Sequence, residues 1–121
     1  MNFEDLEVWR RSTKLSGDIY KELKELKDYG FKDQITRSGL SVASNIAEGF
    51  ERGSQKEGIA FLSYAKGSSG ELRTQIYIGV DIGYIRREIG EKRLKEVKEI
   101  SSMVSGLIKT KQSFIKNPTK K

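Results

Sequence analysis

Residues 55–82 read QKEGIAFLSYAKGSSGELRTQIYIGVDI, and this stretch decides the fold. Gly58, Leu62, Ala65, Ser69, Leu72, Ile76 and Gly79 return in it at alternating steps of four and three. That is the period of one face of an α-helix, and no two-residue alternation competes with it. Just ahead, Ser54 and Glu57 fit a capping box, in which each side chain bonds the other residue's backbone amide and opens the helix. At ~1.5 Å of rise per residue the segment makes a helix ~42 Å long.

The same rhythm extends to both sides. Phe31, Ile35, Gly39, Val42, Ile46 and Phe50 predict a helix over about 31–50. Val8, Leu15, Ile19, Leu23 and Leu26, widened by Leu6 and Trp9, predict one over about 5–27. Val97, Ile100, Val104, Leu107 and Phe114 predict a last one over about 90–116. Pro118 is the only proline, so the breaks fall to glycine and polar clusters at 28–30, 49–53 and 83–90. Four long helices with short connections give an all-α fold, an up-down-up-down four-helix bundle over residues 1–116, followed by a basic tail at 117–121. Gly39, Gly58 and Gly79 lie on the apolar seams and predict close helix contacts, while Gly67 and Gly70 lie off them and suggest a second contact surface.

Composition narrows the function. A chain of 121 residues suits one domain, and it holds no cysteine and no histidine. It therefore has no disulfide framework, no thiolate chemistry and none of the commonest metal ligand. Di-iron carboxylate bundles, which need a Glu-x-x-His pair, are excluded. The expectation is a protein that binds rather than catalyses, with no catalytic residues, no metal and no cofactor. No run approaches the ~18 apolar residues of a membrane span, and residues 1–11 lack the apolar stretch of a signal peptide. The cytoplasm is the expected location, with no membrane partner.

Of the net charge of +6, five units sit in Lys109, Lys111, Lys116, Lys120 and Lys121, with no acid after Lys109. These lysines are candidate phosphate contacts, together with Arg10, Arg11 and Lys14 on the first helix and Arg86 and Arg87 in the last connection. Interspersed Glu7, Asp18 and Glu22 make an ordinary solvated face the preferred reading of the first-helix group, and a solvated, frayed end is the preferred reading of the lysine tail.

The two central helices carry a second organised face, about 100° round from the apolar seam. Gln34, Arg37, Ser41, Asn45 and Glu48 form it on one; Ser68, Glu71 and Gln75, with Phe61 and Tyr64, form it on the other. One reading is a polar network that fixes helix register, within a subunit or between subunits. The other pairs the Glu48 and Glu71 carboxylates for acid/base or magnesium chemistry. The network is preferred, because a two-carboxylate site without histidine is uncommon.

The stretch Gln34-Ile35-Thr36-Arg37-Ser38-Gly39-Leu40-Ser41-Val42-Ala43-Ser44-Asn45-Ile46-Ala47-Glu48-Gly49-Phe50 resembles the bacterial four-helix-bundle proteins encoded in intervening sequences of large-subunit ribosomal RNA genes. Phe3 to Trp9 looks like that family's opening, Phe61 to Leu72 like its third-helix motif, and Gly83-Tyr84-Ile85 like the end of that helix. The similarity spans about residues 3–108. It implies a four-helix bundle assembled as a homopentameric ring, in a family most of whose members have no assigned activity. A related branch, the accessory variability determinants of diversity-generating retroelements, is basic and binds nucleic acid and a reverse transcriptase. Ala43 departs from the proline of many members, and the connection from Lys27 to Phe31 is shorter than usual. The expected function is thus a non-catalytic homo-oligomeric scaffold that binds RNA or DNA. The alternative is an adaptor for another protein, such as a reverse transcriptase, with no direct nucleic-acid role.

Overall fold

The computed structural model describes residues 2–117. A single 3-10 turn at Phe3–Asp5 is followed by α1 (Glu7–Glu22), α2 (Tyr29–Glu51), α3 (Gln55–Asp81) and α4 (Arg87–Lys116), with no strand among the described residues. The predicted Lys120 and Lys121 contacts, and all of the tail beyond Asn117, lie outside the described residues.

The helix ends show what the apolar rhythm cannot resolve. α1 stops at Glu22, five residues before the expected Lys27. Beyond it the chain continues in turns, with Lys24 N–H on Lys21 O at 3.4 Å and Leu26 N–H on Leu23 O at 3.0 Å. Such i→i+3 turns keep Leu23 and Leu26 against the core at nearly helical spacing, so the pattern runs on after the helix has ended. Asp28 must then stand outside a helix, because its carboxylate accepts from Phe31 N–H at 3.1 Å and caps α2. At the other connection the turn falls on Gly83, at φ 83°, a conformation that glycine adopts without strain. Gly90 is not the break; α4 begins three residues earlier, at Arg87. A Cβ on Gly90 would lie 2.3 Å from Val80 Cγ2, so this glycine lets α4 press against the end of α3.

Ser54 caps α3 as its motif predicts, its hydroxyl accepting from Glu57 N–H at 3.1 Å. The reciprocal half differs, since the Ser54 hydroxyl also meets Glu57 Oε1, at 3.2 Å.

The helices enclose one core. Val8, Leu15 and Ile19 of α1, Ile35, Val42 and Ile46 of α2, Leu62, Ala65, Leu72 and Ile76 of α3, and Val97, Ile100 and Val104 of α4 are all buried. Each large side chain contributes about 1.5–3 kcal/mol by leaving water. α3 is the central partner, packed along both α2 and α4; α1 lies mainly on α2, and its contact with α4 is thinner. Backbones approach most closely where α2 ends and α3 begins. A Cβ on Gly58 would sit 2.7 Å from Gly49 O, and one on Gly79 2.6 Å from Ile85 Cδ1. Gly39 faces Ser16 at ordinary contact distance, so close approach does not explain that position.

Candidate nucleic-acid interface

The charges of α4 sort in part by direction. Gly90, Arg93, Val97, Ile100 and Val104 are buried along one stripe, which places an arginine on the apolar seam. The Arg93 side chain is only 9% exposed, and its guanidinium meets Glu22 and Asp18 of α1 and Glu96 of its own helix. Hydrogen bonding to Glu22, outweighing the effect of burial, raises its pKa above the usual arginine value. Arg11 of α1 likewise binds Glu99. That bond, reinforced by the charges of Arg11 and Lys95, holds the Glu99 carboxyl below its ordinary 4.5 against the effect of burial. Glu88 is taken by Arg86 at 3.5 Å. Three of the four acids of α4 are thus drawn into pairs, Glu99 with α1, Glu96 with Arg93 of its own helix and Glu88 with Arg86; Glu91 is exposed and has no cation within 4.0 Å among the described residues.

The lysines of α4 are not drawn into such pairs. Lys92, Lys95, Lys98, Lys109 and Lys116 are exposed, and among the described residues no carboxylate lies within 4.0 Å of their ammonium groups. Helical geometry spreads them over the solvent side of α4 opposite its buried stripe, along ~36 Å. Between Lys98 and Lys109 that side carries Ser102 and Gly106, small residues that let a polyanion lie close, and half-buried Ser105, whose hydroxyl accepts from Lys66 Nζ of α3 at 2.8 Å.

The other predicted contacts sit differently. Arg10 donates to Glu4 O at 2.8 Å and stands 3.9 Å from Asp5; Lys14 pairs with Asp18 at 3.3 Å. With Arg11 engaged by Glu99, all three predicted α1 cations have acid neighbours; Lys21, the fourth cation of α1, stands alone as an exposed lysine and makes no stripe. Lys111 turns inward, 4.6 Å from the Phe50 ring centroid and bonded to Gln55 Oε1 at 3.3 Å, and burial lowers its pKa. Arg87 is exposed at the start of α4. Sequence reasoning missed Lys92, Lys95 and Lys98 because summed charge hides direction; plotting α4 by its buried stripe separates them from Arg93 and Glu96, whereas Glu91 and Glu99, four residues to either side of Lys95, share its side of the helix.

Of the expected polar network, three members come together. The Ser41 and Ser68 hydroxyls are 2.8 Å apart, and Asn45 Nδ2 donates to both Ser41 O and Ser41 Oγ at 2.9 Å. Gln34 is exposed, and Arg37 is exposed and paired with Asp33 at 2.8 Å. Gln75 Oε1 is buried without a partner among the described residues. Glu48 is held by Arg52 at 3.0 Å, whereas Glu71 is exposed. No group of three or more metal-ligating acids occurs among the described residues. Beside this seam α3 exposes Tyr64, Tyr77 and Ile78, with Ile82 at its end, and its Gly67 and Gly70 face open space. No helix among the described residues is long and apolar enough to cross a membrane.

The family model for the 23S rRNA-intervening sequence protein matches residues 4–106. A crystal structure of a protein of unknown function from the S23 ribosomal protein family of Bacteroides thetaiotaomicron superposes with a TM-score of 0.79 at 29% identity, covering 84% of this chain and 98% of that one. No curated protein matches the chain.

Proposed function

Because the chain belongs to the 23S rRNA-intervening sequence protein family, and the similar solved structure is of a protein with unknown function, we propose from its own surface that it is a non-catalytic, homo-oligomeric scaffold that binds nucleic acid through α4. The observation that carries this reading is the row of exposed lysines at Lys92, Lys95, Lys98, Lys109 and Lys116, none of which lies within 4.0 Å of a carboxylate among the described residues, and which outnumber the one unpaired acid on their helix, Glu91. Unpaired ammonium groups release counterions from a phosphate backbone without first breaking ion pairs of their own. A non-catalytic role agrees with a chain lacking histidine and cysteine, and with Glu48 being committed to Arg52. A cytoplasmic location and kinship with the accessory variability determinants belong to the same proposal.

An up-down-up-down order is supported by contacts that run in opposite senses along α2 and α3: Phe31 with Tyr84 and Gly79, Ser41 with Ser68, and Gly49 with Gly58. Self-association is supported by the exposed Tyr64, Tyr77 and Ile78 beside the open Gly67 and Gly70; the pentamer implied by the resemblance is part of the same proposal. Several copies would multiply a weak lysine surface into useful affinity. The same apolar side of α3 supports the second reading, an adaptor for another protein. Pull-down after nuclease treatment separates them: a partner retained without nucleic acid, combined with no RNA or DNA binding at low salt, would replace the scaffold reading with the adaptor.

A further inference from the structure

Two tyrosines face water where α1 ends and α2 begins. Tyr20 is 46% exposed and Tyr29 68%. With Lys24, Lys32, Asp33 and Thr36 they line an open cleft of about 590 Å³, within the ~300–1,000 Å³ range of small-ligand sites. Neither ring belongs to the core, and each leaves much of its apolar surface in solvent, where it contributes nothing to the fold.

The charges around the cleft are lopsided. Asp33 is bound to Arg37 at 2.8 Å, Asp28 to the Tyr84 hydroxyl at 2.8 Å, and Glu22 to Arg93. Thr36 is also occupied, its hydroxyl donating toward Lys32 O at 2.7 Å. Lys24 is exposed, with no carboxylate within 4.0 Å among the described residues. Lys32 sends one N–H to Lys24 O at 3.2 Å and lies 5.2 Å from the Tyr29 ring centroid, which leaves two ammonium donors for a ligand. The result is a pair of exposed rings and a pair of cations whose neighbouring acids, except exposed Glu25 beside Lys24, are engaged elsewhere.

We infer that this cleft binds single-stranded nucleic acid, with bases stacking on Tyr20 and Tyr29 and adjoining phosphates held by Lys24 and Lys32. The inference rests on the nucleic-acid reading of α4 and adds to it a preference for unpaired strands. In a duplex the base faces are stacked on one another and closed to a side chain, whereas an unpaired strand presents them. Lysine and ring in alternation suit the alternation of phosphate and base, which a purely apolar peptide would leave half used.

The test compares a labelled 12-nucleotide oligouridylate with a duplex of equal length, by fluorescence anisotropy on the full chain. The Tyr20→Ala/Tyr29→Ala variant is expected to weaken oligouridylate binding by about 10-fold or more and to leave duplex binding within about 2-fold. Tyr20→Phe/Tyr29→Phe keeps the rings and is expected to restore affinity. Lys24→Ala/Lys32→Ala is expected to reduce the salt slope for the single strand by about 1.4. Equal losses on both ligands, an unchanged single-strand affinity, or a fall in molar mass on light scattering would overturn the inference, the last by making the cleft a subunit contact. Duplex binding by the wild type without any single-strand binding sinks the cleft and spares α4. No binding of either at low salt sinks both.

Discussion

Arg93 of α4 and Glu22 of α1 form a two-oxygen pair, with Arg93 Nε 3.1 Å from both Glu22 carboxylate oxygens. It is the polar counterpart of a core contact, since Arg93 stands where the seam of α4 calls for an aliphatic side chain. Replacing it as Arg93→Met leaves Asp18, Glu22 and Glu96 facing one another without a cation. The expected loss is about 3 kcal/mol, at the low end for breaking a buried pair because Glu22 keeps some contact with water. Urea unfolding measures it, and Arg93→Met combined with Glu22→Leu should recover part of the loss. A single variant as stable as the wild type would remove the pair as a tie between α1 and α4.

Gly58 marks the tightest backbone approach in the α2–α3 turn. Gly58→Ala places a methyl group 2.7 Å from Gly49 O and 3.1 Å from Lys111 Cε. The lysine can move aside, but the carbonyl is backbone, so we expect a cost of about 1–3 kcal/mol in thermal or urea unfolding. A stabilised variant would show that the glycine is needed for some other reason.

The exposed apolar side of α3 predicts self-association. Tyr64→Lys combined with Ile78→Asp puts charge where two large side chains now face water. Both positions are open in the single chain, so the fold should persist by circular dichroism while light scattering reports a smaller particle. If the wild type is itself a monomer, this assignment fails.

The Asp28–Tyr84 bond predicts a two-sided pH response. The Tyr84 hydroxyl, then the Phe31 amide, hold the Asp28 carboxyl below its ordinary 3.8, and the same carboxylate raises Tyr84 above its ordinary 10.0. A lowered carboxyl pKa stabilises fully above the ordinary value, and that stability is lost as pH falls through the folded value. A raised phenol pKa stabilises below its ordinary value, and that part is lost as pH rises through the folded one. Tyr84→Phe should therefore flatten the stability profile both below pH about 4 and above pH about 10. Identical profiles for variant and wild type would contradict the latch. Both groups stay in contact with water, so the effect is small.

The fold was legible because each buried stripe repeats at the helical period and the breaks carry glycine or a capping residue. What the period could not give was the end of α1, since the turns after Glu22 keep Leu23 and Leu26 on the core side. Nor could Gly90 be told from a break, because close packing against Val80 and chain reversal both select glycine. In the candidate site, the serines and Asn45 were readable from their place beside the seam. The lysine side of α4 was not, because Arg93 and Glu96 lie among Lys92, Lys95 and Lys98 in sequence and are separated only by their direction round the helix, while Glu99 shares the lysine side and is set apart only by its bond to Arg11.

The salt dependence of binding tests the lysine surface of α4 most directly. Affinity for a nucleic-acid duplex is measured across a salt series for the wild type and for Lys95→Ala/Lys98→Ala/Lys109→Ala. The wild type should bind at low salt and weaken steeply as salt rises. The variant should lose affinity whatever the base sequence, with a slope of log K against log salt shallower by about 2.7 for duplex DNA. A variant that matches the wild type in both affinity and slope would place the binding surface somewhere other than α4.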